Sequence, residues 1–106
     1  PASGLEIPFL DFLYQGGFRL PNVAQNRPCS EVASQPDFYY ERDGVPGACI
    51  FVDGSDHLDP AHQERDASAR TALEDRGYRV ITIRFDRPRE EQVARHPDVF
   101  GIDTRS

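Results

Sequence analysis

The chain contains no lysine. All twelve of its basic residues are arginine, against eighteen aspartates and glutamates, for a net charge of −6. That balance argues against a free-standing nucleic-acid binder working through a broad basic face. No apolar run approaches the roughly 20 residues that cross a bilayer, and the opening residues carry no basic-plus-apolar leader, so no membrane partner is expected. Cysteine is scarce as well. Cys29 and Cys49 make neither a metal-spaced motif nor a disulfide framework. Cys49 stands in an apolar run and reads as a small core residue. A reduced, cytoplasmic setting follows.

What is present is ordinary globular material. Of 106 residues, 38% are hydrophobic and 28% charged, enough for one small core and not for two. The expectation is a single domain over residues 1–106. Its start at Pro-Ala-Ser rather than Met suggests a piece of a larger protein.

The stretch from Pro36 to His57 organises the rest. Pro-Asp-Phe-Tyr-Tyr and Ala-Cys-Ile-Phe-Val-Asp flank turn signals at Asp43-Gly44 and Pro46-Gly47, the sequence form of a β-hairpin. Phe38 and Tyr40 should face one side of the first strand, Asp37 and Tyr39 the other. Ala48–Val52 is apolar throughout, as a central strand covered on both faces would be. Antiparallel pairing sets the start of one strand beside the end of the other. Asp37, Asp53 and His57 then meet at one edge, an arrangement suited to a hard-metal or general-base site.

Around the hairpin, Leu5–Gln15 has helical spacing of Leu5, Phe9, Phe12 and Leu13. Ser3 with Glu6 forms a capping-box pattern, Pro8 falls in the first turn, and Gly16-Gly17 ends the helix. A short strand is expected around Cys29–Ala33. Asp59-Pro60 starts a second helix, running to Arg76 and closed by Gly77. Its small face, Ala69, Ala72, Leu73 and Arg76, suits packing on a sheet, and Asp66, Arg70 and Glu74 can pair along one stripe. Tyr78–Phe85 is a β-branched and aromatic strand, which makes strand, helix and strand a right-handed parallel crossover. A last helix spans Arg89–Arg95, Pro97 stops it, and Phe100 pins the tail. The sum is a small α/β sandwich around a mixed sheet with flanking helices.

Pro36-Asp37-Phe38, then Ile50-Phe51-Val52-Asp53-Gly54 with His57, Arg65-Asp66 and Arg70, Leu73, and Gly77-Tyr78-Arg79-Val80-Ile81 together resemble the PD-(D/E)XK nuclease superfamily. The likeness is to its very-short-patch-repair (Vsr-like) endonuclease branch, and it runs from Glu6 to about Phe85. It implies a restriction-endonuclease-like fold and a DNA endonuclease or nickase that uses Mg²⁺ or Mn²⁺. Similar domains end large DNA helicases, which suggests a helicase-containing repair or defence system as the setting, with other parts of the parent assisting DNA binding. By that resemblance Asp37 matches the metal-binding aspartate. Phe51 stands where the superfamily has a second carboxylate; the branch uses a nearby backbone carbonyl instead, here that of Val52. Asp53 occupies the place of the superfamily's lysine, where the branch has histidine. His57 matches a histidine that handles the attacking water, and Glu6 a helical acid that reaches the metal through water. The branch's structural zinc ligands have no counterpart.

The chemistry of those residue types agrees. Phosphodiester hydrolysis needs neutralised phosphate charge, an activated water and a stabilised leaving oxygen. His57 can serve as base near neutral pH. Asp53 can act as a second metal ligand or orient His57, and Arg65 or Arg70 can grip a phosphate. Each has a plainer reading. Glu6 can be a helix cap, Asp37 and Asp53-Gly54 turn residues, His57 a solvated loop residue, and the Arg65–Glu74 charges a paired helix face. Two competing functions follow. One is a catalytically weakened nuclease fold that binds DNA or protein, given Phe51, the missing lysine and the acidic balance. The other is an interaction module with no nucleic-acid partner, which the net charge alone favours.

Overall fold

A computed structural model describes residues 6–24, 28–29, 31–32, 35–53 and 60–101, with side chains at 60–63, 65 and 66 left aside. The elements are α1 (Glu6–Gln15), β1 (Val23–Ala24), β2 (Phe38–Arg42), β3 (Val45–Asp53), α2 (Pro60–Asp75), β4 (Arg79–Arg84), α3 (Arg89–Ala94) and α4 (Pro97–Phe100). The sheet order is β1-β2-β3-β4. β1 and β3 each pair antiparallel to β2, and β3 pairs parallel to β4. The protein is therefore the expected α/β fold, a mixed sheet flanked by helices. Among the described residues no helix is long and apolar enough to cross a membrane.

Strand alternation divides the core into two layers. Phe38, Tyr40, Ala48, Ile50, Val52, Ile81 and Ile83 face Phe9 and Leu13 of α1, Val93 of α3, and Val99 and Phe100 of α4. Cys49 and Phe51 face Leu73 of α2, with Tyr39, Ala69, Ala72, Tyr78 and Val80 around them. Because β3 is covered on both faces, its residues 47–52 are buried in an unbroken run. Cys49 is a core residue as expected, and burial pushes its thiol up to about 11, which leaves it protonated and unreactive at neutral pH. Phe100 anchors the chain's last described turn with its ring edge-on to Phe9 and Tyr40.

Glycine ends both long helices in the same way. Gly17 and Gly77 take φ of 74° and 92°. The next residue, Phe18 or Tyr78, returns its N–H to the carbonyl of Leu13 or Leu73 at 3.0 and 3.1 Å. Both ends are Schellman caps, in which only glycine adopts the left-handed position without strain. A Cβ on Gly17 would meet nothing within 4 Å, so Gly17→Ala isolates the backbone term. Urea unfolding should show a loss of about 1 kcal/mol.

Several details differ from the sequence expectation. Residues 28–29 and 31–32 form no strand; Val32 is buried in a turn closed by its N–H to the Cys29 carbonyl at 3.2 Å. The additional strand is β1, two exposed residues with no apolar pattern to announce it. Pro46-Gly47 belongs to β3 rather than to the turn, which is confined to Asp43-Gly44. Pro97 ends α3 but also occupies the first turn of α4, as proline's fixed φ permits. The caps expected from Ser3 and Asp59, and Leu5, fall outside the described residues.

Candidate functional site

The antiparallel hairpin and the parallel crossover bring three acids to one end of the sheet. β2 begins just after Asp37, and β3 ends at Asp53. The residues are tied at this end by backbone bonds, with the Asp37 N–H donating to the Ile50 carbonyl at 2.9 Å. The Val52 N–H donates to Asp37 Oδ2 at 2.7 Å. Glu6, in the first turn of α1, is the buried charged residue of the core at 8% exposure, and it hydrogen-bonds the Asp37 carboxyl. Sequence spacing of 31 residues gives no hint of that contact; it follows from α1 packing across the sheet through Phe9 and Leu13.

Two carboxyls in contact away from water cannot both ionise cheaply. Burial pushes the Asp37 acid up from 3.8 to about 6. The Val52 N–H opposes that shift, while the bond and charge of Glu6 and the charge of Asp53 add to it. Between these two values the folded protein holds a proton that the unfolded chain releases, so this group's contribution falls as pH rises from about 4 to 6 and is lowest above. Asp37→Asn keeps an oxygen for the Val52 N–H and removes the ionisation. It should stabilise the protein at pH 7 by about 1 kcal/mol, a figure discounted for partial exposure, and flatten the slope between pH 4 and 6. Urea titrations across pH 4–8 measure both; a variant less stable than native at pH 7 would contradict the assignment.

Asp53 is engaged differently. Arg70 of α2 reaches over the sheet, and its Nη1 and Nη2 donate to Asp53 Oδ2 and Oδ1 at 3.3 Å each. Nη1 also donates to Thr82 Oγ1 at 2.8 Å. The guanidinium lies 4.3 Å above the centre of the Phe51 ring. Only the Arg70 Nε is buried without a partner among the described residues. Arg70 thus reaches toward the sheet; the Asp66 side chain of the expected stripe lies outside the described residues. Its fork is committed to Asp53 rather than open to a phosphate. Thr82 is the site residue that sequence reasoning missed. Its signal was a lone polar side chain inside Val80-Ile81-Thr82-Ile83.

Of the expected site residues, the structure brings Glu6, Asp37, Val52, Asp53 and Arg70 to one sheet end. His57 lies outside the described residues, as does the Arg65 side chain. Among the described residues no three His, Cys, Asp or Glu side chains are gathered as a metal cage. No family model, curated protein or solved structure matches this chain.

Proposed function

We propose that this is a metal-dependent DNA endonuclease or nickase domain of the very-short-patch-repair-like kind, hydrolysing phosphodiester bonds at the Glu6–Asp37 end of the sheet. One observation carries the reading. Asp37 is held at the strand end by the Val52 N–H while Glu6 shares its proton, a carboxyl pair that costs stability unless a cation or proton offsets it.

The donors suit Mg²⁺ or Mn²⁺. All are hard oxygens, and Mg²⁺ takes one or two carboxylates while keeping several waters, so a full protein cage is not required. Asp37 supplies the carboxylate. The Val52 carbonyl, at the same strand end, is the second hard oxygen of the proposed site. Glu6 would act through a water. When bound, the ion supplies charge neutralisation at the phosphate and a more acidic water. The chain's own residues orient and balance charge. The Val52 N–H fixes the Asp37 carboxylate, and Arg70 neutralises Asp53, limiting the repulsion a phosphate meets. His57 is proposed as the base.

A plasmid-nicking assay with Mg²⁺ or Mn²⁺ tests the reading: conversion of supercoiled to open-circular DNA is expected, and none with either metal would sink it. A second reading, a weakened nuclease fold that binds DNA without cutting, is favoured by the Asp53–Arg70 pair, which engages the acid that follows Phe51 in the strand. DNA binding with no nicking would select it. Given the net charge of −6, we propose that other parts of a larger, helicase-containing protein add DNA affinity. A reduced, cytoplasmic setting is proposed from the free Cys29 and Cys49.

A further inference from the structure

β4 leaves the sheet beside the acids. Arg84 is the register partner of Asp53, and the Phe85 N–H donates to the Asp53 carbonyl at 3.0 Å. The chain then turns through Arg84-Phe85-Asp86-Arg87-Pro88, two arginines against one acid, into α3, which opens with Arg89, Glu90 and Glu91.

A single side chain holds this turn. Gln92 of α3 points back at it, and its Oε1 accepts the Arg84 N–H at 2.8 Å. Its Nε2 donates to the carbonyls of Arg84 at 2.8 Å, Pro88 at 3.1 Å and Arg87 at 3.3 Å. Two amide hydrogens are thus shared among three carbonyls. Pro88, at φ −58°, stiffens the same turn.

The arginines are presented by this frame. Arg84 is 45% exposed, and Asp86 takes its Nε and Nη2 at 3.1 and 2.7 Å. So exposed a pair adds little stability, but it fixes the guanidinium outward and leaves most of its five N–H donors open. Arg87 is exposed. Arg89 lies 4.8 Å from the Phe85 ring centre and 5.4 Å from that of Phe12, fixed in place by stacking. Two exposed arginines on an ordered turn beside an acidic site offer donors that a phosphodiester can reach next to those acids.

We propose that the turn from β4 to α3 is a phosphate-binding rim, in which Arg84 and Arg87 contact the phosphodiester backbone of a nucleic-acid strand and Gln92 is the positioning residue that presents them. This deepens the reading of the acid site as a nuclease and rests on it.

The test is fluorescence anisotropy of labelled duplex DNA with the chain in EDTA over graded NaCl, with nicking assayed in parallel. The Arg84→Ala/Arg87→Ala double variant should bind at least about tenfold more weakly. Its slope of log affinity against log salt should shrink by about 2, since each lost duplex phosphate contact removes about 0.9. Arg84→Lys/Arg87→Lys should restore the slope. Gln92→Leu should weaken binding with both arginines present, and urea unfolding of each variant separates this from lost folding. Native affinity and slope in the folded alanine double variant would overturn the rim, even if nicking persists and the acid site stands. The native chain binding no DNA at any salt would overturn it as well. Arginine-dependent binding without any nicking would instead overturn the nuclease reading and leave the rim.

Discussion

Asp37→Ala is expected to lower metal-dependent nicking at least about 100-fold, the scale set by removing one preorganised electrostatic group from a reacting centre. Asp37 is the carboxylate that the backbone of β3 itself orients at this end. Asp37 accepts the Val52 N–H at 2.7 Å, and Asp53 is taken by Arg70. A truncated side chain therefore removes the oriented carboxylate of the proposed metal site. Asp37→Asn separates chemistry from folding. It retains an acceptor for the Val52 N–H and should be more stable than native at neutral pH, yet it should nick as poorly as the alanine variant. Loss of activity with gain of stability is the signature of an acid kept for function at a cost to the fold. Glu6→Gln should have a smaller effect, about tenfold, because Glu6 is expected to act through water. Native nicking rates in Asp37→Ala, with the same metal, would remove Asp37 from the site.

How much of this was legible beforehand differs by level. The hairpin was, because turn chemistry at Asp43-Gly44 and alternation at Phe38-Tyr39-Tyr40 are local signals, and Phe38 and Tyr40 do share one face. The parallel β3–α2–β4 unit was too, from an apolar run, a capped helix and a β-branched run in order. Boundaries were less so. Residues 45–47 extend β3 because pairing with β2 outweighs the turn signal of Pro-Gly. The site was half legible. Convergence of Asp37 and Asp53 follows from antiparallel geometry alone. Their different fates do not, since these depend on which helix reaches them. Glu6 arrives from α1 and Arg70 from α2, and neither helix announces its distant contact. Arg70 had a local alternative in Glu74, and the sheet's acid prevailed over it because a partly buried carboxylate gains more from a partner than a solvated one does.

The hairpin that gathers the acids depends on a close approach of its own backbone, which predicts the largest stability effect. Gly47→Ala should destabilise the protein by about 3 kcal/mol, the upper end of what overpacking costs. A Cβ there would stand 2.3 Å from the Tyr40 carbonyl oxygen and 2.6 Å from the Tyr39 Cζ and hydroxyl oxygen. Neither can yield freely. Tyr40 is fully buried and its hydroxyl donates to the Arg19 carbonyl at 2.8 Å. The Tyr39 hydroxyl accepts the Gly47 N–H at 2.9 Å. Relief therefore requires β3 to move from β2 near the register shift between Tyr40 and Arg42. Gly44→Ala is the control. Gly44 has φ 73°, yet a Cβ there meets nothing within 4 Å, so only backbone strain of about 1 kcal/mol is expected. Urea unfolding of the two variants should differ by about 2 kcal/mol; equal losses would mean that the strands do not approach so closely. The surviving folded fraction of Gly47→Ala should keep the native nicking rate, since the displaced segment is the turn end of the hairpin, opposite the end at which Asp37 meets Val52.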